Sequence, residues 1–558
     1  MSRSVSRSNT FRGNRVPKLT KILYPWSGIF RDACYALIGT FLVQYAITSG
    51  VLSTDAAAFK SQYLVITIAM MIALVWDGIN DPIMGFILEK CHFKSGKFRP
   101  WIGIGAIGNA LVVALMFLLP QLFSGLRGWG YVAFMIVMYV LWDTCFTMND
   151  IGYWSMLPSL TNDPKERAKL TTHTAIATSI GTFVMNIAMF LLPGMKGLGS
   201  TMQIYMIAGV AIALLFLVSQ LLVYFFCKEK ERDAEQEEIS EKSSILDLFR
   251  VIKKNKELLF AALGMLLYYF GSFILTGIGQ NYFYMVYGYG GNLGGMVATV
   301  VSVVYVIGTV VAQAFYPMLA KRMPKKKILS LMSIVILASY LGFFLVAFPI
   351  FGNNPVAYNT PDANNMFWVF GGSMSLIYVF AFLFFGAAGI FYLAVLVMFQ
   401  DAIDYGELKN GERKESICFA WRPLDVKLAS GLNRGLQYIV YLTTGTYAAI
   451  QAISNYEGSF NAGEIDEAAR DSAIAGELSN VSRASKIWFG VIVIGVIIIL
   501  FGLAYYFLRF KYSLDEKKME EVTAVLNEKT VNKDEEVLVI EEPVEEQSET
   551  EKVDDKEE

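Results

Sequence analysis

The sequence predicts an all-α integral membrane protein of about twelve transmembrane helices in two six-helix halves. Three observations carry this prediction. Of 558 residues, 55% are hydrophobic and 17% charged, with a mean hydropathy of +0.45, which is too apolar for a soluble chain of this length. Apolar runs of about 20 residues, the length that crosses a hydrocarbon core, recur along the chain. A charged segment at 228–257 divides these runs six and six. The 40 Phe, 29 Tyr and 46 Gly suit helices that pack closely in lipid and end in aromatic belts.

In chain order the expected spans are 28–51, 62–89, 101–120, 130–157, 169–193 and 202–227, then 258–285, 293–320, 328–350, 367–400, 417–452 and 486–510. Several exceed what a bilayer requires, which predicts tilt or extension. Orientation follows from Lys and Arg in short connections. Arg3, Arg7, Arg12, Arg15, Lys18 and Lys21 precede the first span. Lys90, Lys94, Lys97 and Arg99 follow the second, and Lys321, Arg322, Lys325, Lys326 and Lys327 follow the eighth. The connections at 51–61, 121–129, 194–201 and 286–292 hold almost none. Both termini are therefore expected in the cytoplasm, with the chain in the cytoplasmic membrane. No short apolar segment with a cleavage site opens the chain, so the first span would itself direct insertion.

The organisation read from these patterns is a basic N-terminus at 1–27, a first half at 28–227, a middle loop at 228–257, a second half at 258–510 and an acidic, disordered tail at 511–558. In the middle loop Ile245, Leu248, Phe249 and Ile252 recur at helical spacing, with Arg250, Lys253 and Lys254 on the other side. That pattern fits an amphipathic helix on the inner membrane surface or a solvated linker helix. A Glu- and Asp-rich stretch at 453–485 is long for an outside connection. The formal net charge of −2 says little, because the charge is segregated. Cys34, Cys91, Cys145, Cys227 and Cys418 form neither a paired framework nor a metal-ligand spacing.

Within this apolar frame the charged residues mark chemistry, since an ionisable group at membrane depth costs several kcal/mol. Asp77 and Asp81 stand one helical turn apart in Val75-Trp76-Asp77-Gly78-Ile79-Asn80-Asp81-Pro82, so both side chains share one face. The pair is a cation or proton site, or one side of an interhelical salt bridge. A single basic partner is expected to satisfy one of the two carboxylates and leave the other in need. Asn80 adds a neutral oxygen of the kind hard cations take, and Pro82 weakens the helix just after the pair.

The fourth span carries Asp143, Thr147, Asn149, Asp150 and Trp154, of which Thr147, Asp150 and Trp154 share a face. Thr147 can give a further oxygen to a cation. A carboxylate beside an aromatic face suits a sugar, whose hydroxyls donate to the one and whose C–H groups stack on the other; Trp154 as a packing aromatic is the alternative. Arg31 and Asp32 open the first span, as site residues or as a flanking charge pair. In the eleventh span Lys427 and Arg434 share a face, with Asp425 pointing elsewhere; they serve a structural ion pair or transport. No nucleophile–base pair or metal-ligand spacing suggests an enzyme.

Several motifs resemble a known family. Asp77-Gly-Ile-Asn-Asp81-Pro-Ile-Met-Gly85, Gly96-Lys-Phe-Arg-Pro100-Trp, Asp150-Ile-Gly-Tyr-Trp154-Ser-Met-Leu-Pro158, the Asp163–Arg167 loop, and Asp404-Tyr-Gly-Glu407 with Glu415-Ser-Ile417 resemble the glycoside-pentoside-hexuronide:cation symporters, the family of the melibiose permease within the major facilitator superfamily. The resemblance implies a coupling-cation site at Asp77, Asn80, Asp81 and Thr147, sugar hydroxyls held by Asp32 and Asp150, and a ring stacked on Trp154. Arg31 stands where melibiose-type members have Lys, Tyr392 where they have Trp, and Lys427 matches a basic residue near the site. Two departures fall on the sugar side. Ala175 replaces a sugar-binding Arg, with Thr172 and His173 nearby, and Arg422-Pro423 replaces a Gln-Thr pair.

The expectation is a symporter, functional as a monomer in lipid, that couples Na⁺ or H⁺ to uptake of a sugar or glycoside by alternating access. It needs no cofactor beyond the coupling cation, and nothing points to nucleic acid. The rivals are a lysolipid-type amphiphile carrier of the same fold and a membrane sugar sensor that does not transport.

Overall fold

The computed structural model describes residues 16–91, 93, 95–161, 164–229, 253–410 and 421–526. Helices α1 (Lys18–Thr48), α2 (Ala56–Lys90), α3 (Arg99–Leu122), α4 (Gly128–Ser159), α5 (Pro164–Leu191) and α6 (Thr201–Phe226) form one bundle. Helices α7 (Lys256–Tyr287), α8 (Gly294–Ala320), α9 (Lys325–Ala347), α10 (Ser375–Asn410), α11 (Trp421–Thr443) and α14 (Arg483–Tyr506) form the second. The bundles meet where α2 crosses α11 and α5 crosses α8. Among the described residues the one β feature is an isolated bridge between Phe93 and Gly96.

Local chemistry sets the helix ends. Asp55 accepts the Ala58 N–H at the start of α2, Ser200 and Gln203 form a reciprocal capping box on α6, and Asn255 caps α7. Glu229, just past α6, accepts the N–H groups of Lys97, Phe98 and Arg99 at 2.9, 2.8 and 2.7 Å. A carboxylate there satisfies orphan donors and the positive end of the α3 dipole, and it ties α3 to α6.

Among the described residues ten helices, α2–α10 and α14, are long and apolar enough to cross a membrane. Helices α1 and α11 fall outside that set because Arg31 and Asp32 interrupt the first, and Arg422, Asp425, Lys427 and Arg434 the second. The two long helices outside that set thus carry the cations that the bundle interior must accommodate.

Five sequence expectations need correction. The first helix begins at Lys18 rather than 28, so part of the basic N-terminus is helical. The tenth begins at Ser375, because 366–374 coils into short 3₁₀ turns. The eleventh does not run to 452. It stops at Thr443, and Gly445, in the left-handed region at φ 72°, turns the chain into a separate helix, α12 (Tyr447–Asn461). The acidic stretch at 453–485 is not a loop: its residues complete α12 and form α13 (Glu467–Ser479), capped by Asp466. In the tail, residues 512–526 are ordered. Tyr512, Leu514, Met519 and Val522 are buried, the Tyr512 hydroxyl donates to the Met398 carbonyl, and Glu257 accepts the Ser513 N–H. Most of the middle-loop stripe (Ile245, Leu248, Phe249, Arg250, Ile252), Asp163, residues 415–417 and the acidic tail beyond 526 lie outside the described residues.

Helices α12 and α13 belong to the second half of the chain but lie across the end of the first bundle. Gly50 packs on Gly458 so closely that a Cβ on Gly50 would sit 2.3 Å from the Gly458 Cα. Gln451 and Tyr447 donate to the carbonyls of Thr54 and Ala56, and Ser200 donates to Asn461 at 2.6 Å. At the centre Glu457, fully buried, accepts the Thr201 N–H at 2.7 Å and pairs with Arg470 at 3.3 Å. Arg470 also bonds Asp471 at 2.7 Å and lies 4.6 Å over the Phe460 ring. Burial pushes the Glu457 carboxyl above its ordinary value, against the pull of Arg470 and the Thr201 N–H.

Arg470→Met leaves that carboxylate buried without its counter-charge, and a loss of about 3 kcal/mol is expected. Without Arg470 the folded-state pKa rises further above the unfolded one, so stability is kept at low pH and lost as pH rises through that window. Thermal unfolding in detergent should show a larger loss at pH 8 than at pH 5. A loss independent of pH would mean that packing of the Arg470 stem, not the charge, is what matters.

Candidate functional site

A cavity of about 500 Å³ lies between the bundles, lined from α1, α2, α4, α5, α7 and α11. Five carboxylates face it, those of Asp32, Asp77, Asp81, Asp143 and Asp150, against the cations Arg31, Lys427 and Arg434. The formal excess is two negative charges. How these groups pair decides what the cavity can hold.

The first cluster joins α2, α4 and α11. Asp77 and Asp81 project together from α2, and the Lys427 ammonium reaches both, at 2.9 Å from Asp77 Oδ2 and 2.6 Å from Asp81 Oδ2. The expectation that one basic partner would serve a single carboxylate is overturned. An ammonium carries three donors in a compact head, and the i, i+4 spacing brings both acceptors within its reach. Asn80 is buried and directs its amide to Asp143, with Nδ2 3.4 Å from Asp143 Oδ2. Thr147, one turn beyond Asp143 on α4, is buried and lines the same cavity.

The second cluster joins α1 and α4. The guanidinium of Arg31 donates through Nη2 to Asp32 at 2.6 Å and through Nη1 to Asp150. It lies 4.7 Å over the Tyr153 ring and 5.1 Å over Trp154, the stacking that a planar, weakly hydrated guanidinium favours. Trp154 therefore presents a ring to Arg31 and stands behind the lining. Arg31 itself is 3% exposed.

Of the ten residues singled out from sequence, Arg31, Asp32, Asp77, Asp81, Thr147, Asp150 and Lys427 line the cavity. Asn80 and Trp154 support it from behind. Tyr392 is not brought in. It packs on Tyr268 of α7, accepts a hydrogen bond from Tyr269 at 3.1 Å, and lies 5.9 Å from the Arg422 guanidinium. An aromatic cluster between α7 and α10 holds it there. Ala175, Thr172 and His173 are exposed on α5 and line no part of the cavity.

Sequence reading undervalued Asp143 and passed over further polar residues along the cavity: Gln44, Gln280, Asn433 and Gln437. Helical spacing from Lys427 was the available signal, since Arg434 and Gln437 fall seven and ten residues on. Just past the cavity, on the side of α12 and α13, three helices are locked together. Gln44 and Asn281 exchange hydrogen bonds at 2.8 and 2.9 Å, Asn281 donates to the Tyr441 hydroxyl at 2.6 Å, and Gln437 donates to the same hydroxyl at 3.0 Å. The Arg434 guanidinium donates to the Gly39 carbonyl at 2.5 Å.

A bundle of long apolar helices around a charged cavity, locked at one end, defines a multi-pass membrane protein of the major facilitator fold. The fold agrees with solved structures. A bacterial homologue of the human lysosomal transporter Spinster matches with a TM-score of 0.51 at 14% identity, over 87% of this chain and 96% of that one. A D-xylose–proton symporter matches at 0.50 and 14%, over 80% and 98%.

The chain belongs to the MFS/sugar transport protein family, whose model matches residues 54–516. Curated relatives include the raffinose carrier protein of Pediococcus pentosaceus, 25% identical over 77% of this chain and 64% of that one. The lactose permease of Leuconostoc lactis is 28% identical over 74% and 61%, and the isoprimeverose transporter of Lactiplantibacillus pentosus 24% identical over 79% and 83%. The match spans less than two thirds of the raffinose carrier and lactose permease. These relatives are carriers, permeases and transporters rather than enzymes, and the resemblance to the glycoside-pentoside-hexuronide:cation symporters holds.

Removing Arg31 would leave Asp32 and Asp150 facing each other. Arg31→Ala is expected to cost about 2–4 kcal/mol, kept below the full buried-pair figure because Asp150 is 38% exposed. Arg31→Lys should recover part of it, since a single ammonium replaces the fork that reaches both carboxylates. Thermal unfolding of the two variants in detergent checks this. Equal losses would show that the fork geometry is immaterial.

Proposed function

We propose that the protein is a secondary active symporter that couples inward movement of Na⁺ or H⁺ to uptake of a sugar or glycoside across the cytoplasmic membrane. The observation that carries this reading is the Lys427 ammonium held between Asp77 and Asp81. Two carboxylates bridged by one mobile cationic side chain form a site where an incoming cation can take the ammonium's place. The raffinose carrier, lactose permease and isoprimeverose transporter among its relatives support a sugar as the cargo.

The residues divide the work. Asp77, Asn80, Asp81 and Thr147 supply oxygen ligands to the coupling cation, a set that suits Na⁺, while the carboxylates alone serve H⁺. Arg31, Asp32 and Asp150 hold sugar hydroxyls, with Trp154 supporting Arg31 from behind. Cation binding neutralises the acids, frees Lys427, and so reshapes the wall next to Asp150. Each ligand thereby strengthens binding of the other reciprocally. The halves, 28–227 and 258–510, then rock around the loaded site. The basic connections support a cytoplasmic location for both termini, with α12 and α13 on the outside in this reading. The charged cavity argues against an amphiphile carrier, and a sensor would bind sugar without accumulating it. The transporter works as a monomer.

Purified protein in proteoliposomes tests this. A Na⁺ gradient or a pH gradient should drive accumulation of a sugar such as lactose or raffinose, and Asp81→Cys should abolish it. Normal cation-dependent accumulation in that variant would sink the site assignment. Substrate-driven Na⁺ entry against substrate-driven alkalinisation separates the two cations.

A further inference from the structure

The two α2 acids hold Lys427 between them, but Asp143, the third acid of that cluster, has no cation of its own. It projects from α4, is 6% exposed and lines the cavity. Its neutral donor is the Asn80 amide, distant at 3.4 Å. Asp77 stands opposite, close enough for the two carboxyls to interact directly. Lys427 bonds Asp77 and Asp81, and among the described residues no ammonium or guanidinium bonds Asp143. Arg434 lines the same cavity, but its guanidinium is committed to the Gly39 carbonyl.

Like charges that face each other at low dielectric call for a positive charge beside them. Three carboxylates against one ammonium leave this cluster with two negative charges in excess. One monovalent cation removes half of that excess, and the rest stays in the membrane interior, where uncompensated charge is expensive. Two such cations remove all of it, with Lys427 still charged.

A neighbouring hydroxyl points independently to a ligand. Thr147 follows Asp143 by one helical turn. Threonines inside helices commonly donate to the carbonyl four residues back, and Thr48, Thr67, Thr144 and Thr171 all do so. Thr147 does not. It is 4% exposed, lines the cavity, and makes no side-chain hydrogen bond among the described residues. A hydroxyl released from its own helix, beside a carboxylate, offers oxygens of the kind hard cations take. Among the described residues no three acids converge as ligands of a single metal ion. The cluster therefore provides separate seats for single charges rather than one cage for a divalent ion.

We propose that Asp143 and Thr147 form a second Na⁺ seat beside Asp77 and Asp81, so that each transport cycle carries two monovalent cations. Asn80 reaches from α2 toward this seat through its contact with Asp143. The proposal rests on the symport reading and divides between two ions the oxygens which that reading gives to one. Asp143 then sets the coupling ratio. With the membrane potential held at zero, a Na⁺ gradient of about tenfold can support sugar accumulation of about a hundredfold rather than about tenfold, because the driving free energies of the two ions add.

Equilibrium binding of radioactive Na⁺ to the purified full chain tests this without any need to know the sugar. Saturation should give two Na⁺ per chain. Asp143→Asn should keep one and lose the other. The packing-conservative Thr147→Val should weaken one of the two about tenfold, the worth of roughly one polar contact. Two ions still bound in Asp143→Asn would overturn the assignment to Asp143. A single ion in the unaltered protein overturns the second seat, whatever the variants do, and leaves the one-cation site standing. Release of both ions by one equivalent of Ca²⁺ or Mg²⁺ would reveal a divalent cage and overturn the separate seats. If no Na⁺ binds, the second seat falls, and the symport reading is decided apart from it by whether a pH gradient drives accumulation.

Discussion

An ammonium suspended between two carboxylates, Lys427 between Asp77 and Asp81, is the contact on which the central architecture depends. Charges taken out of water must be paired with good geometry, and breaking such a pair by removing one partner leaves an uncompensated ion. The same contact joins α2 of the first bundle to α11 of the second, so the electrostatic requirement and the meeting of the halves are one interaction. Arg31 does the equivalent within the first bundle by holding Asp32 and Asp150. Both cations sit on the two long helices too polar to count among the ten apolar spans.

The contacts past the cavity give this arrangement a direction. Gln44, Asn281, Tyr441 and Gln437 form a continuous hydrogen-bonded chain across α1, α7 and α11. Beyond it α12 and α13 lie over the first bundle through Glu457, Thr201 and Arg470. Opening this end means separating the paired amide network that joins α1 to α7 and α11. Those groups are polar and become water-accessible on opening, so hydration offsets much of what is lost. Apolar packing of the same area would have no such return. A polar lock suits a transporter whose two end states must differ by a few kcal/mol.

Much of the fold was legible in the sequence because its signals are strong ones. Apolar runs of spanning length, basic short connections and one charged divider need no tertiary information. What was misread depended on local backbone chemistry. Gly445 ends α11 early, and the Glu- and Asp-rich stretch that looked like a loop contains Asp466 as a helix cap and Glu457 and Arg470 as partners; pairing of that kind is invisible along a linear chain. The site followed the same pattern. Asp77, Asp81 and Asp150 stood out as acids at membrane depth, but their partners lie 346 residues away in Lys427 for one pair and 119 away in Arg31 for the other. Tyr392 was misplaced because a family position fixes a place on a helix, and here the neighbouring tyrosines of α7 draw that face into an aromatic cluster. Asn433 and Gln437 were missed because amides in an apolar run carry no charge to betray them.

The two clusters are separate in chemistry but share α4, and that sharing is what makes coupling physically intelligible. Asp143 and Thr147 face the α2 acids, Asp150 faces Arg31, and all three project from successive turns of one helix. A cation that displaced Lys427 would relax the pull of α11 on α2 and change the field at Asp150 two turns away, at low dielectric where such fields persist. A sugar hydroxyl at Asp150 competes with Arg31 for the same oxygens, and it does so more easily when the local negative charge is already neutralised. Without the cation, loading sugar would require Asp150 to loosen its pairing while three acids with Lys427 as their shared counter-charge stand close by. With it, both exchanges run in the same direction. Symport in the proposed cycle thus needs no long-range pathway; it follows from placing two competitions for carboxylate oxygens on one rigid helix.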